Sequence, residues 1–436
     1  MTLRLIKQVF KVPNLRNRFL VVLGIILLFR MLAHIPIPIG DTATLTDFLR
    51  NLFNSNRLFM FVDLFSGGAL TNFSIVLLGL GPYINASIIM QLATQAVPTL
   101  AALRKEGEQG RQKINQYTRM LTLPLAIGQS IGTIFFIKQL AIQVGQTDII
   151  GNPTLMEWVI MVSVITGGSF LLMWLGELIS EKGIGNGISI LIFAGIVAQL
   201  PGIIGQSVSL LQTDLTKLTT VGLFIAAAAL TTYFIVKLNE SQRTITVSYA
   251  KRVRGSQSYG GVESKLPIRV LTAGVVPIIF AVAFLSVPTF LGQLFANAQT
   301  SWLAQLASNF SIWFAPTHWV YAVTYFVLVV AFTYFYTGVV FNTSEISENL
   351  QKQGGFIPGI RPGNQTATFL KKIVNRITLF GALSLGLIAI LPFIGEWITN
   401  SSFLTLGGTS LLIVVSVALE TLRQLETLAI NTAYQT

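Results

Sequence analysis

Ten apolar segments, each long enough to cross a lipid bilayer, constrain the fold of this chain more than any other feature. A bilayer core is about 30 Å thick, so a helix needs roughly 20 apolar residues to cross it. Only 11% of the residues are charged, too few to cover a water-exposed surface. The sequence therefore predicts an all-α polytopic membrane protein with ten transmembrane helices. The segments lie at residues 19–39, 74–96, 120–140, 154–176, 186–205, 218–237, 268–291, 319–341, 377–395 and 403–420.

Lysine and arginine residues are divided unevenly between the two sides that ten crossings create. The side that carries both termini holds 24 of the 29, four lie on the other side, and Arg30 lies within the first segment. The positive-inside rule assigns the basic side to the cytoplasm. Such a surface can contact anionic lipid or dock an RNA-rich or acidic partner. Its basic segments are the N-terminus, residues 104–119, residue 182, residues 237–269, residues 342–376 and the tail.

An even division of the ten segments gives two sets of five. An odd number per half turns the second half upside down relative to the first, and inverted halves of this kind enclose a central cavity. We place the halves at residues 1–205 and 206–436, with cytoplasmic loops at about 238–268 and 342–376. The count permits this arrangement, although the sequence shows no clear repeat.

Residue types that most catalytic and metal sites require are scarce. The chain has no cysteine, its two histidines (His34 and His318) are far apart in sequence, and no phosphate-binding or HExxH motif occurs. We therefore expect no catalytic residue, no metal site, no cofactor and no small-molecule substrate. Ion-coupled transporters keep acids or histidines at mid-membrane depth. Because only Arg30 is clearly buried in a segment, any transport is expected to draw its energy from a partner.

Five motifs stand out along the chain: FSGGALTNFSIVLLGLGPYINASIIMQL (65–92), MWLGELISEKGIGNGISILIFAGIV (173–197), YAKRVR (249–254), FIPGIRPGNQT (356–366) and GGTSLLIVV (407–415). They occur in the order and spacing of the SecY family, and the chain resembles the bacterial members of that family over roughly residues 10 to 430. The resemblance implies two inverted halves of five helices around a central hourglass pore, with a short plug helix at about 61–72. It also implies a passive channel, not an enzyme, for unfolded polypeptides in the bacterial cytoplasmic membrane, with lateral release of transmembrane segments.

Aliphatic residues recur at four-residue spacing in the second and fifth segments, so each set shares one helix face. By themselves, such stripes are typical of core packing or of contact with lipid. The resemblance implies that some of them belong to the pore ring of the family, which would close by dewetting because it offers ions no hydrogen-bonding site. The stripes are Leu80, Ile84, Ile88 and Ile188, Ile192, Ile196, and the implied ring is Leu80, Ile84, Ile192, Ile279 and Ile413.

A glycine-containing stretch precedes the second segment and is a poor helix, since glycine costs up to about 1 kcal/mol in a helix interior. A static re-entrant turn and a movable plug both fit such a stretch. The resemblance implies a plug, and the small side chains lead us to expect weak attachment. The implied plug residues are Phe65, Ser66, Gly67, Gly68, Ala69 and Leu70.

Polar side chains on the second, third and seventh segments have two explanations. They can be ordinary interhelical contacts, worth about 0.6 kcal/mol each. The resemblance instead implies a lateral gate that signal sequences part. Leu271 stands where the family usually has asparagine, so the polar contact there is expected to fall on Thr272. The implied gate residues are Asn85, Gln91, Gln129, Ser130 and Thr272.

Three arginines in the two large basic loops match the SecA- and ribosome-contacting positions of the family: Arg252, Arg254 and Arg361. The planar guanidinium group suits phosphate and carboxylate partners. The resemblance thus implies the partners SecE, SecG, the SecA ATPase, the ribosome, signal sequences, nascent polypeptides and membrane lipids. From the residues alone, a secondary transporter of small solutes and a membrane scaffold without a pore are the competing hypotheses.

Overall fold

The structure, a computed structural model, describes residues 12–37, 45–49, 63, 66–143, 153–213, 218–249, 252–254, 257–259, 263–295, 300–315, 318–399 and 403–433. Within these ranges we number the principal helices α1 to α13 and the strands β1 to β5. The helices are α1 Pro13–Leu32, α2 Gly81–Ala96, α3 Pro98–Lys105, α4 Glu108–Gln143, α5 Leu155–Lys182, α6 Gly187–Thr213, α7 Leu218–Glu240, α8 Val276–Phe295, α9 Ser301–Trp313, α10 Trp319–Val340, α11 Thr343–Lys352, α12 Asn364–Thr399 and α13 Phe403–Ala433.

Each of the ten predicted apolar segments overlaps one of these helices, but the bounds differ. The second helix begins at Gly81 instead of residue 74, because residues 67–80 form consecutive turns with positive φ at Gly67, Gly68 and Gly79. By length and apolar composition, four described helices can cross a membrane: α4, α5, α10 and α12. Helices α2 and α3, bent by 97°, together make a fifth. The full count of ten crossings stays a prediction.

The structure also contains a small antiparallel sheet, which the all-α prediction did not include. Its strand order is β4-β1-β5, and β2 pairs with β3 in a separate hairpin. The predicted loop at 238–268 therefore consists mainly of strands, and β5 attaches the loop at 342–376 to it. In β1 the buried Ile245 and Val247 alternate with exposed residues, as expected for a strand with one buried face. The strands are β1 Gln242–Tyr249, β2 Arg252–Arg254, β3 Gln257–Tyr259, β4 Glu263–Arg269 and β5 Gly355–Phe356.

The basic segments meet at one end of the molecule, which we call the basic end. The pairing of β1 with β5 joins the two large loops there. Hydrogen bonds link the remaining basic segments in pairs. The structure therefore places at one end the segments that the charge distribution assigned to one side of the membrane. Three hydrogen bonds make those links: Arg18 Nη1 to Gly183 O (3.3 Å), Arg104 Nη2 to Val339 O, and Arg423 Nη2 to Asn239 O (2.7 Å).

Buried apolar side chains form three clusters. The central cluster receives residues from α1, α2, α5, α6, α7, α8, α10, α12 and α13. A second, smaller cluster lies between α4, α5 and the turns at 67–80. The third underlies the sheet at the basic end. Helix α6 continues through residue 205, the predicted boundary between the halves, and ends at Thr213. The boundary therefore does not coincide with the end of a helix.

Candidate functional site

The five residues of the implied ring come together in the central cluster. Leu80, Ile192, Ile279 and Ile413 are buried members of it, and Ile84 is partly buried against it. They originate from α2 or its N-terminal flank, α6, α8 and α13, so both halves of the chain contribute. Both four-residue stripes face inward, since Ile88 and Ile196 are also buried there. Contact of these stripes with lipid, one of the two ordinary explanations, is therefore wrong.

The described residues of the implied plug adjoin this ring. Ala69 is fully buried in the central cluster, and Leu70 belongs to the second cluster. Within the predicted plug helix at about 61–72, Asp63 and Ser66 are helical, whereas residues 67–72 form turns and a bend; Phe65 lies outside the described residues. The turn conformation follows from the positive φ angles of Gly67 (71°) and Gly68 (85°), which glycine adopts without steric cost.

Asp63 organises the plug through hydrogen bonds. Its Oδ1 accepts from Thr71 N at 2.8 Å and from Ser66 Oγ at 3.4 Å. Gln199 Nε2 of α6 donates to Asp63 O at 3.0 Å and to Asp63 Oδ2 at 3.4 Å. Burial raises the pKa of Asp63, and the hydrogen bonds from Thr71 and Ser66 offset part of that rise. Asp63 thus joins the start of the turns to α6.

Arg30 attaches the same segment to α1. Its Nη1 donates to Gly67 O at 2.5 Å, and Ser74 Oγ donates to Leu32 O at 2.7 Å. A Cβ atom on Gly67 would lie 2.9 Å from Gly195 Cα, so the plug backbone touches the backbone of α6. The expectation of weak attachment is wrong for the described residues. Several discrete hydrogen bonds hold the plug, although its own side chains are small.

Helix α8 packs against α2 and α4, and with the predicted division into halves this contact is the seam between them. Asn85 and Gln129 are partly buried on the α2 and α4 side. Gln91 Nε2 donates to Ser87 Oγ of its own helix at 3.0 Å, and Gln91 Oε1 is buried with no partner among the described residues. An unpaired buried oxygen is uncommon because it costs about 1–3 kcal/mol.

Two of the predicted gate residues do not face across this seam. Ser130 Oγ donates to Ala126 O at 2.7 Å and contacts Thr166 Oγ1 of α5 at 3.2 Å, so it packs within the first half. Thr272 Oγ1 donates to Thr337 Oγ1 of α10 at 3.3 Å, within the second half. Leu271, in place of the family asparagine, is buried. Both polar contacts are therefore interhelical contacts inside one half.

The predicted partner-binding arginines differ in how much the structure describes. Arg361 is exposed in a turn between Gly359 (φ 82°) and Gly363 (φ 98°). Ser347 Oγ donates to Gly363 O at 2.7 Å and Thr366 Oγ1 to Arg361 O at 2.9 Å, so the backbone of this turn is fixed while the guanidinium projects outward. Arg252 and Arg254 are the ends of β2, and their side chains are not among those that the structure describes.

Sequence patterns do not single out Asp63 and Gln199 as plug contacts. The two residues bind each other across 136 positions, so no local pattern reveals that contact. Arg30 was noticed as a buried charge, which is the signal that leads to the plug contact. Within the described ranges, no three His, Cys, Asp or Glu side chains lie close enough together to hold a metal ion.

Comparison with known proteins identifies the family. The SecY family model matches residues 74–422. The protein translocase subunit SecY of Streptomyces scabiei is 41% identical over 425 residues, which is 96% of this chain and 96% of that protein. Two solved structures share the fold at 16% identity, covering 94% of this chain and 91% of theirs. They are a SecY protein whose plug domain stabilises the closed state of the translocation channel (TM-score 0.64) and Sec61 in the canine ribosome-channel complex (TM-score 0.61).

The sequence identity extends over nearly the whole chain and the helices follow the same fold. The chain belongs to the SecY family.

Proposed function

We propose that this chain forms a passive channel that carries unfolded secretory polypeptides across the cytoplasmic membrane and releases transmembrane segments sideways into lipid. The ring Leu80, Ile84, Ile192, Ile279 and Ile413 is the constriction, and the segment at about 61–72 is the plug. Signal sequences part the seam between α2 and α8. The halves, at about 1–205 and 206–436, separate slightly, and both termini lie in the cytoplasm.

One observation carries the proposal. Aliphatic side chains from four parts of the chain, in both halves, meet in a single buried cluster, and Ala69 of the plug packs into that cluster. A ring without hydrogen-bonding groups excludes water and ions, yet its flexible side chains can deform around a passing peptide. The positive-inside rule supports the orientation, with the basic end in the cytoplasm.

Crosslinking tests the path of the polypeptide. A photoreactive amino acid is placed at Ile84 or Ile192, and the protein is reconstituted in liposomes with an arrested secretory chain. We expect crosslinks from both positions. The matched control is Ile204 on the same helix as Ile192, which is 62% exposed and faces away from the cluster. Equal crosslinking from Ile204, or none from the ring, would contradict a central path.

The competing hypothesis of a small-solute transporter requires an ion-binding acid at mid-membrane depth. Asp63 is a buried acid near the centre, but its oxygens accept hydrogen bonds from Thr71, Ser66 and Gln199. Those contacts give the Asp63 carboxylate a structural role in the plug instead of a role as an ion-binding site. Accumulation of a small solute by liposomes that contain the chain alone would favour the transporter over the channel.

A motor or a ribosome supplies the driving force in this proposal, since a passive pore has no energy source of its own. The two large basic loops share one sheet and one apolar cluster, so a partner meets them as a single platform. The exposed Arg361 and the arginines of β2 are the contact residues for a SecA-type ATPase or the ribosome. SecE braces the halves and SecG associates at the membrane. The proposal includes no cofactor and no catalytic step.

Charge reversal tests the platform. Arg361→Glu should abolish SecA-driven export, because repulsion replaces a charge-assisted contact, while the protein itself still inserts into the membrane. Lys371→Glu, an exposed residue nearby on α12, is the matched control and should retain export. Export at the normal rate by Arg361→Glu would remove the assignment of this loop.

A further inference from the structure

Arg104 makes a contact that crosses from the first half of the chain to the second. It lies in α3, which follows α2 after a 97° bend. Its Nη2 donates to the carbonyl oxygen of Val339, 235 residues away in the last turn of α10. The guanidinium also interacts electrostatically with Tyr336, one turn earlier on the same helix. Arg104 and Val339 are both partly buried.

The C-terminus of α10 is a favourable place for a cation. The last four carbonyl groups of a helix have no N–H partner within that helix. The helix dipole adds a partial negative charge at the same end. Val339 is the second-last residue of α10, and no residue of its own last turn is basic. A side chain from the opposite half therefore satisfies a carbonyl that would otherwise face the basic end unpaired.

This contact lies on the line along which the seam would open. Helix α2 packs against α8, and α8 packs against α10. Because α3 continues from α2, movement of the first half away from the second would separate Arg104 from Val339. Thr272 and Thr337 both belong to the second half and Ser130 faces α5, so their hydrogen bonds survive such a movement.

We propose that Arg104 is a positioning residue that latches the seam closed at the basic end by binding the carbonyl terminus of α10. The latch rests on the proposed channel function. It sets the ratio of closed to open seams before any signal sequence arrives. A strong signal sequence displaces it, and a defective one does not.

Transport of two substrates tests the latch. The chain, with its small subunits and motor, is reconstituted in liposomes and given a preprotein with either an intact or a defective signal sequence. Arg104→Ala should raise transport of the defective substrate about tenfold, equivalent to about 1.4 kcal/mol, and leave the intact substrate little changed. Arg104→Lys should give a smaller rise, since lysine keeps the charge but lacks the planar fork.

The neighbouring Lys105 supplies the control. It carries the same charge on the same helix and is exposed, and its side chain makes no hydrogen bond or ion pair within the described ranges. Lys105→Ala should leave both substrates unchanged. An unchanged ratio for Arg104→Ala overturns the latch. A fall for both substrates also overturns it, since that result assigns Arg104 to motor docking or to folding.

A second measurement separates the latch from the channel proposal. The chain has no cysteine, so Lys105→Cys and Val340→Cys introduce a single pair, exposed and adjacent to the latch, for a bifunctional maleimide. Crosslinking should be efficient with Arg104 present and fall severalfold with Arg104→Ala. This readout requires no transport. If wild-type protein carries no preprotein, the channel proposal fails, whereas unchanged crosslinking defeats the latch alone.

Discussion

The predicted pore ring and plug meet in the central cluster, where Ala69 of the plug is buried, but they are held in different ways. The ring consists of aliphatic side chains from distant helices and makes no side-chain hydrogen bond. The plug has small side chains and depends on hydrogen bonds through Asp63, Gln199 and Arg30. Dispersion contacts are individually weak and non-directional, so a ring can widen and close again. Hydrogen bonds have defined geometry, so a plug is either seated or released.

The difference suggests a division of tasks. In the proposed channel, the ring resists ions by excluding water and adapts to a substrate of any sequence, and the plug adds a discrete step that must be passed once for each opening. The following predictions change one region at a time and measure ion leak through the empty channel.

Polar substitution of the ring should have the largest effect. Replacing Ile192 and Ile279 together by serine supplies hydroxyl groups that hold water, so the dewetted barrier is lost. We expect ion efflux from proteoliposomes to rise by about tenfold or more. Ile204 and Ile225 are exposed on α6 and α7, and the same double substitution there should leave efflux at the wild-type rate. A tight channel after both ring changes would mean that the ring is not the barrier.

Removal of the Asp63 carboxylate should have the next largest effect. Asp63→Ala leaves Thr71 N without its acceptor and removes the 3.4 Å bond from Gln199 Nε2, which keeps its 3.0 Å bond to the backbone oxygen of residue 63. The loss should weaken plug retention by about 1–3 kcal/mol. The expected results are intermittent ion leak and faster protease cleavage within residues 66–72. Asp63→Asn keeps a carbonyl oxygen for Thr71 and should leak much less. Equal behaviour of the two variants would show that this carboxylate does not retain the plug.

Two neighbouring glycines allow a finer comparison. Both have positive φ, so alanine strains either backbone by a similar amount, about 1 kcal/mol. A Cβ on Gly67 would lie 2.9 Å from Gly195 Cα, whereas the nearest atom for Gly68 is Gln199 Nε2 at 3.8 Å. Gly67→Ala should therefore leak more than Gly68→Ala, by about twofold, in single-channel recordings. The reverse order would place the tight contact of the plug elsewhere.

Some of the site was accessible from sequence because its signals are local. The spacing of Ile84 and Ile88 predicted one shared helix face, which the family resemblance placed at the pore, and the distribution of basic residues predicted which loops share an end. Both depend on spacing or composition along the chain. The structure brings together all five ring residues and joins the two large loops by the pairing of β1 with β5.

Other parts depended on which helix faces which. Ser130 is a polar residue on a segment of the predicted gate, but the rotation of α4 directs its side chain to Thr166 of α5. Asp63 and Gln199 are 136 residues apart, and Arg104 and Val339 are 235 apart, so no window of sequence contains either pair. The attachment of the plug depends on Asp63, Gln199 and Arg30 and not on its own small side chains.

The sequence by itself determined the membrane environment of this protein, its helical character, the grouping of its basic segments and its family, because hydropathy, charge and motif order can be read along the chain. Only the tertiary structure decided which polar groups hold the plug, which face inside one half, and which connect the two halves. The physical reason is that a polar group inside a membrane protein must find a partner nearby in space, and proximity in space is a property of packed helices.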